Sequence, residues 1–327
     1  MLRRIFLTFA TLILLLVIAA GGAFFWAKHE VNAPGPLKSA TTIIVPKGAG
    51  ADTIARLLEA QGVIEQPLLF RLAMRLDDSG KPLRAGEYEI PAGISVIDVL
   101  ALLQSGKTVM RKITIPEGLT VAEILALVKA QDGLEGQISL KPAEGSLLPQ
   151  TYFFTLGDTR DAVIQRMRQA MKEMLEELWP KRKAGLPFDS EKEWVTLASI
   201  VEKETGVASE RPRVAAVFVN RLRLNMRLET DPTVTYGITL GQRPLGRDLN
   251  RADLQAPTPY NTYTMAGLPP GPIANPGRAS LEAAINPVDS KEIYFVADGS
   301  GGHAFAETLD QHNKNVANWR KLRDGKK

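Results

Sequence analysis

An uncharged apolar run at residues 5–27 sets the first limit on how this chain can fold. A helix of about 20 apolar residues crosses a bilayer core, so this run is long enough to span a membrane. Arg3 and Arg4 precede the run, which favours an N-terminus on the inner side of the membrane. Aromatic residues at 24–26 suit a membrane interface and make a poor signal-peptide cleavage site. The sequence therefore predicts an uncleaved single-pass anchor.

The composition of the chain narrows the classes of function. The chain has 327 residues, which suits two domains, and its content of 45% hydrophobic and 23% charged residues is ordinary for globular proteins. It has no cysteine and three histidines, so we predict no disulfide, no metal centre and no cofactor. The net charge of +4 suits an anionic polymer or a lipid surface. Because the sequence has no dense basic stripe interleaved with aromatic residues, we predict no nucleic-acid partner.

A strand–turn–helix pattern occurs three times between residues 42 and 131. Each strand ends at a proline, which cannot donate a hydrogen bond to a sheet, and a glycine then supplies the turn geometry. Ser95 and Thr120 each precede an acidic residue by three positions, a spacing typical of helix N-caps. The three turns lie at residues 46–48, 91–93 and 116–118. The pattern predicts one or more small α+β modules.

Changes in residue pattern divide the chain into five segments and predict an α+β fold class. Apolar periodicity predicts helices at residues 161–179, 191–205 and 211–224, and alternation around a glycine-rich turn predicts a hairpin at 293–307. The predicted segments are a cytoplasmic N-terminus with the membrane anchor at 1–31, a stiff linker at 32–41, the strand–turn–helix region at 42–131, a connector at 132–150 and a mainly helical domain at 151–327.

One predicted helix carries a carboxyl group at the end of its apolar face. Trp194, Leu197 and Val201 recur at helical spacing, and the next step of three residues reaches Glu204. A carboxyl group there is partly desolvated, which should raise its pKa as a general acid requires at neutral pH. Glu202 lies toward the flank of this face and is the second candidate. A frayed helix end in solvent is the alternative that gives Glu204 no catalytic role.

The sequence SIVEKET at residues 199–205 resembles the motif of the lytic transglycosylases, in which a glutamate before Ser or Thr ends an apolar helix. Other segments are similar to the membrane-anchored endolytic murein transglycosylases, the YceG-like or MltG family, and the resemblance covers nearly the whole chain. These segments are residues 144–152, 208–211, 219–222, 226–234, 260–263, 267–273 and 294–303. The resemblance implies Glu204 as the catalytic residue, LysM-like glycan-binding modules at 42–131 and a lytic-transglycosylase-like catalytic domain at 151–327.

The same resemblance implies the reaction and the location. Glu204 would protonate the oxygen of the MurNAc–GlcNAc β-1,4 bond, and its carboxylate would then take the proton of the C6 hydroxyl of that MurNAc. That hydroxyl would attack C1 and close a 1,6-anhydro ring. Such cleavage within nascent glycan strands would end strand growth. The implied partners are peptidoglycan glycan strands, the membrane and peptidoglycan synthases such as penicillin-binding proteins. The implied location is the bacterial inner membrane, with the catalytic domain in the periplasm.

Polar and aromatic side chains downstream of Glu204 are the candidates for holding the sugar, because they offer hydrogen-bonding groups and flat stacking faces. The resemblance favours Asn261 as a polar positioner within a Tyr–Asn segment. Turn chemistry is the alternative for the Asp-Pro pair at 231–232 and for the Tyr-Asn pair at 260–261. The predicted substrate-binding residues are Thr230, Asp231, Thr233, Tyr260, Asn261, Tyr263 and His303.

Two functions of other classes are left open by the sequence. A non-catalytic glycan-binding scaffold of the cell-wall synthesis machinery would need only the LysM-like region, and it would tolerate the change Glu204→Gln. A soluble cytoplasmic lyase similar to aminodeoxychorismate lyase would need an essential lysine if it used pyridoxal phosphate. The apolar run at residues 5–27 argues against the second of these.

Overall fold

The computed structural model describes residues 2–324, and it describes side chains from Phe6 onward. The outer ends of the first and last predicted segments, Met1 and residues 325–327, lie outside the described residues, as do the side chains of Arg3 and Arg4. The chain forms two compact units, one of Met1–Arg111 with Thr155–Gly157 and one of Lys112–Phe154 with Asp158–Lys327. Both units combine helices with small sheets, so the mixed α+β class predicted from the sequence is confirmed.

The chain begins with helix α1, Leu2–Asn32. Within it, Phe6–Asn32 has a mean hydropathy of 2.4 and is long and apolar enough to cross a membrane. Large apolar side chains on this helix are exposed, among them Phe6 at 74% and Phe25 at 72%. A helix that is apolar on every side is stable when lipid or protein covers it. These properties are those of a single membrane-spanning helix.

The first unit is built on two antiparallel strands, β1 (Thr41–Val45) and β2 (Gly86–Ile90), with Thr41 opposite Ile90. Helices α2 (Ala51–Ala60) and α3 (Pro67–Leu76) connect the strands, and α4 (Val96–Ser105) follows β2. The helices and the sheet enclose one apolar core, because the inward side of each element is apolar. Fully buried members of this core are Ile54, Leu58, Phe70, Tyr88, Ile90, Val99, Leu100 and Leu103.

The repeated turns have the geometry that their sequences predict. Gly48, Gly93 and Gly118 have φ angles of 78°, 66° and 76°, in the left-handed region that glycine adopts without strain. Ser95 accepts a hydrogen bond from the Asp98 amide, and Thr120 forms a reciprocal capping box with Glu123. The predicted helix starts after the second and third turns are therefore confirmed, because α4 begins at Val96 and α5 (Val121–Ala130) begins at Val121.

The third strand–turn–helix repeat belongs to the second unit, so the unit boundary at Arg111 differs from the predicted boundary at residue 131. Strand β3 (Arg111–Thr114) pairs with β5 (Thr151–Phe154), and the short strand β4 (Leu134–Glu135) pairs in parallel with β6 (Asp158–Thr159). The apolar side of α5 packs on the long helix α6 (Arg160–Leu178) through Ile124, Val128, Val163 and Met167. Shared burial with α6 joins this repeat to the C-terminal domain.

The rest of the second unit surrounds one buried helix. The elements that follow α6 are α7 (Glu191–Glu204), α8 (Arg211–Arg223), α9 (Asp231–Thr239), α10 (Arg251–Gln255), α11 (Arg278–Ile285), strands β7 (Tyr294–Ala297) and β8 (His303–Ala306), and α12 (Leu309–Asp324). Strands β7 and β8 form the predicted antiparallel hairpin, with Ala297 opposite His303. All residues of α7 from Trp194 to Val201 are buried, and α6, α8 and α11 contribute to the core around them.

Candidate active site

Glu204 is the last residue of helix α7 and lies just beyond the buried part of that helix. Ser190 and Glu193 form a capping box at the start of the helix, which fixes the register of everything that follows. Near the other end, the Ser199 hydroxyl accepts a hydrogen bond of 3.0 Å from the Ile273 amide. The helix ends at Glu204, and Thr205 has an extended backbone. A rigid, buried helix thus sets the position of the candidate acid.

The surroundings of Glu204 favour its protonated form. Burial is the largest influence and raises the pKa of Glu204 above its usual value, and the nearby charge of Asp231 raises it further. A hydrogen bond from Thr230 and the charges of His303 and Arg221 act in the opposite direction without cancelling the effect of burial. A carboxyl group that keeps its proton near neutral pH can act as a general acid.

Thr230 contacts one of the two carboxyl oxygens of Glu204. Its hydroxyl donates a hydrogen bond to Oε1 of Glu204, and the residue is buried at 2% exposure. The carbonyl oxygen of a protonated carboxyl group is the better hydrogen-bond acceptor, so this bond favours Oε2 as the oxygen that carries the proton.

The segment that brings Thr230 to Glu204 is held by the backbone. Glu229 has a φ of 51°, which is uncommon for a residue other than glycine. Its amide donates to the Thr262 carbonyl at 3.2 Å, and the Thr230 amide donates to the Thr262 hydroxyl at 3.0 Å. The buried Thr233 hydroxyl joins the same group, at 2.8 Å from the Thr262 hydroxyl. Thr233 therefore supports the site from behind and does not reach the surface.

Asp231 and Tyr263 lie together beside Glu204. The Tyr263 hydroxyl donates to Oδ1 of Asp231 at 2.6 Å. Burial raises the pKa of Tyr263, and the hydrogen bond to Asp231 and the charge of Glu204 raise it further. Asp231 is exposed and is the first residue of α9. A cavity of about 400 Å³ opens beside it, lined in part by Lys203, Pro232, Tyr236 and Ile273.

Asn261 occupies a different place from the one expected of a sugar-binding residue. It is fully buried, and its Nδ2 donates to the carbonyls of Asp253, Leu254 and Ala256 at 3.3, 3.1 and 2.7 Å. Its Oδ1 accepts from the Tyr263 amide at 2.9 Å. Backbone groups therefore engage both ends of the side-chain amide, and Asn261 holds the loop that presents Tyr263.

Tyr260 lies in a second cluster. Its ring centroid is 4.8 Å from that of Tyr236, whose hydroxyl donates to Oε2 of Glu144 at 3.2 Å. Tyr260 also lines a cavity of about 730 Å³ between α6, the start of α7 and the segment Pro270–Pro272. Burial raises the pKa of Glu144 against several hydrogen bonds that lower it. The residues that act most on Glu204, which are Thr230, Asp231, His303 and Arg221, lie outside this cluster.

Glu202, the second candidate from the sequence, is part of a structural contact. Its side chain is 5% exposed, Oε2 accepts from the Gly277 amide at 2.9 Å, and Oε1 is 3.6 Å from the Arg211 guanidinium. Arg211 also lies 3.6 Å from Glu117, whose pKa is raised first by burial and then by the charge of Glu202. These partners tie α7 to the third strand–turn–helix repeat, and they occupy both Glu202 oxygens.

His303 joins the site through a residue that the sequence did not single out. Its ring Nδ1 is 2.7 Å from Oε2 of Glu210, and its amide donates to Oε1 at 2.9 Å.

Arg221 is a second residue near the site that the sequence analysis did not name as a candidate. It is buried at 8% exposure and donates to the carbonyls of Leu228 and Ile293 at 3.0 and 2.7 Å. The sequence did contain a signal for Arg221, because a charged residue that interrupts the apolar side of a predicted helix is often buried and paired.

The change Thr230→Val should lower kcat/KM roughly tenfold, because a hydrogen bond to an acidic group contributes about 1.5 kcal/mol. Valine keeps the shape of the side chain, so circular dichroism should be unchanged. Steady-state cleavage of glycan strands, the substrate that the sequence resemblance implies, measures the effect. The matched control is Thr114→Val, which removes an exposed hydroxyl in β3 that is 2.9 Å from the Thr151 hydroxyl. Equal rates for both variants would remove Thr230 from the site.

A helix that is long and apolar enough to cross a membrane, followed by a domain in which burial raises the pKa of a carboxyl group at the end of a helix, suits the class of membrane-anchored enzymes. No group of three or more potential metal ligands occurs within the part of the chain that the structure describes. The profile of the YceG-like family matches residues 43–318. The chain belongs to the YceG-like family.

Related proteins and a related structure agree with this assignment. An endolytic murein transglycosylase of Bacillus subtilis is 30% identical over 90% of this chain and 89% of its own length. Endolytic murein transglycosylases of two Streptococcus pneumoniae strains are 28% identical over 94% of this chain, which spans 64% of their length. A crystal structure of a YceG-like protein from Listeria monocytogenes has a TM-score of 0.53 and 31% identity, and the match covers 85% of this chain and 99% of that one.

Proposed function

We propose that this protein is an endolytic murein transglycosylase that cleaves the MurNAc–GlcNAc β-1,4 bond of peptidoglycan and leaves a 1,6-anhydroMurNAc end. The observation that carries the proposal is Glu204, a half-buried carboxyl group at the end of a buried helix, whose pKa is raised by burial and whose Oε1 accepts a hydrogen bond from Thr230. The names of the Bacillus and Streptococcus relatives, which match 90% or more of the chain, support the same reaction.

The chemistry starts with proton donation. Glu204 protonates the glycosidic oxygen while the C1–oxygen bond breaks, and a positive charge develops at C1 and the ring oxygen. Asp231 stabilises this charge electrostatically, because Tyr263 holds its carboxylate close to Glu204. The C6 hydroxyl of the same sugar then bonds to C1, and the proton it loses restores Glu204. An attacking group on the same ring has the advantage of proximity over water.

The exposure of each side chain decides which of the predicted site residues can contact the substrate. Asp231, Tyr263 and His303 keep exposed or half-buried side chains next to Glu204, so we propose that they contact the sugar. Thr230, Thr233 and Asn261 are buried, and we propose that they position those groups. Tyr260 is placed to stack on a sugar farther along the strand, where its ring borders the cavity of about 730 Å³.

The first unit is proposed to bind glycan as a LysM-like module. Its strand–helix–helix–strand segment has a core of its own, so it is a structural module separate from the acid.

We further propose that the N-terminus is cytoplasmic and that the domain with Glu204 acts on the outer side of the inner membrane, near peptidoglycan synthases. A cysteine introduced at the exposed Ser39 should react with a membrane-impermeant maleimide on intact spheroplasts. Labelling only after lysis would reverse the proposed orientation.

Mass spectrometry of digestion products tests the proposed reaction. The full-length protein in detergent is incubated with purified glycan strands, and the lengths and ends of the products are determined. We expect shortened strands with 1,6-anhydro ends, from cuts inside the strands. Reducing ends throughout would show a hydrolase, and release of disaccharides from strand termini alone would exclude endolytic cleavage.

A further inference from the structure

The loop at residues 240–247, which follows α9, is held at both ends. Near its start, the Thr120 hydroxyl donates to the Gly241 carbonyl at 2.8 Å. At its other end, the Arg247 guanidinium donates two hydrogen bonds to the Asp253 carboxylate, at 2.5 and 2.9 Å. Because both ends are fixed, the residues between them have a defined place, and several of them line the cavity of about 400 Å³ described above.

This cavity combines apolar walls with two cations. Its apolar lining residues are Pro232, Pro244, Leu245 and Ile273. The cations are Arg243, which the loop supplies, and Lys203. Among the residues that the structure describes, the Arg243 guanidinium has no hydrogen-bond or ion-pair partner. The Lys203 ammonium donates to the Gly118 carbonyl at 3.2 Å and has two further N–H donors. Both cations therefore have donors to offer an anionic group.

The two acidic residues of the cavity are engaged by other groups. Glu123 accepts from the Thr120 amide at 2.8 Å in the capping box of α5, and Asp231 accepts from the Tyr263 hydroxyl at 2.6 Å. No carboxylate within the described part of the chain is paired with Arg243 in the same way. The cavity therefore suits a ligand that is partly apolar and carries a negative charge.

Peptidoglycan has such a group next to the bond that is cut in the proposed reaction. Each MurNAc carries a lactyl ether on C3, and a stem peptide extends from it. The lactyl group and the alanine that follows it have methyl groups, and later residues of the stem have free carboxylates. Asp231 lines the cavity and also acts on Glu204, so a ring whose C1 is at Glu204 has its C3 substituent near the cavity.

We propose that this cavity binds the acidic stem peptide of the MurNAc that is attacked, with Arg243 as the residue that pairs with a stem carboxylate; this rests on the proposed transglycosylase function. The apolar walls pack on the methyl groups at the start of the stem. The guanidinium binds a carboxylate through two parallel hydrogen bonds. The loop at residues 240–247 thus makes the enzyme select strands that carry peptides.

Glycan strands with and without stems test this site in the full-length protein. Purified strands are used intact, or after an amidase has removed their stems, and kcat/KM for the formation of anhydro ends is measured on both. We expect the wild-type protein to favour intact strands roughly tenfold, the effect of one hydrogen-bonded charge. Arg243→Gln should lose this preference, mainly through a higher KM on intact strands. Arg243→Lys should keep part of it, because lysine retains the charge.

Arg251→Gln is the matched control, since it removes an exposed arginine of α10 that does not line the cavity. It should keep the wild-type preference for intact strands. The inference is overturned if Arg243→Gln keeps that preference, if it loses equal activity on both substrates, or if the wild-type protein has no preference. If the wild-type protein makes no anhydro ends on either substrate, the proposed function itself fails.

Discussion

Replacing Glu204 by Gln should lower the rate of glycan cleavage roughly 10³-fold, the middle of the range for loss of a general acid. Glutamine has the same shape and can still accept the hydrogen bond from Thr230, so the fold and the position of the side chain should persist. The amide has no proton acidic enough for the departing sugar oxygen. Initial rates of anhydro-end formation, measured by mass spectrometry, give the size of the effect.

The matched control is Glu307→Gln, which removes an exposed carboxylate just after β8. It should cleave at the wild-type rate. A non-catalytic scaffold, the rival function that the sequence left open, requires that Glu204→Gln and Glu307→Gln behave alike. Full cleavage by Glu204→Gln would therefore reject the catalytic assignment.

Replacing Trp194 by Ala should destabilise the protein by about 3–5 kcal/mol, as truncation of a large buried aromatic residue does. Trp194 is fully buried, stacks on Trp179 at a centroid distance of 5.5 Å, and donates from Nε1 to the Leu281 carbonyl at 2.8 Å. Truncation leaves a cavity beside α7 and an unpaired carbonyl. Urea unfolding of the full-length protein in detergent, followed by circular dichroism, should show a lower midpoint.

Trp319→Ala provides the control for that measurement. Trp319 is half-buried near the C-terminal end of α12, where the Arg323 guanidinium lies 4.9 Å from its ring centroid. Its loss should change the free energy of unfolding by less than about 1 kcal/mol. If the urea midpoints of the two variants were equal, the packing of Trp194 would not stabilise the helix that carries Glu204.

Local patterns in the sequence were sufficient for the helices and for the acid. The predicted helices at 161–179, 191–205 and 211–224 differ by one residue from Arg160–Leu178, Glu191–Glu204 and Arg211–Arg223. Periodicity and capping act within a few residues, which is why they can be read from the chain directly. The same step of three residues along the apolar face predicted a desolvated Glu204, and its pKa is raised by burial.

Contacts between distant segments could not be predicted in this way. Thr230 reaches Glu204 across 26 residues, and Glu210 reaches His303 across 93. Asn261 looks like a sugar-binding amide in sequence, and its burial among backbone carbonyls depends on the loop around α10. The third strand–turn–helix repeat looks like the first two, but its core is shared with α6. In each case the tertiary partner, and not the local pattern, decides the role.

Infrared difference spectroscopy of wild-type protein against Glu204→Gln tests most directly whether Glu204 holds a proton before substrate binds. At about pH 6, ordinary glutamates with a pKa near 4.3 are ionised. Protonated Glu117 and Glu144 would contribute equally to both proteins and cancel. We expect the carbonyl band of a protonated carboxylic acid in the wild-type spectrum alone, disappearing as the pH rises. A carboxylate band in its place, with no protonated form at that pH, would contradict Glu204 as the resident acid.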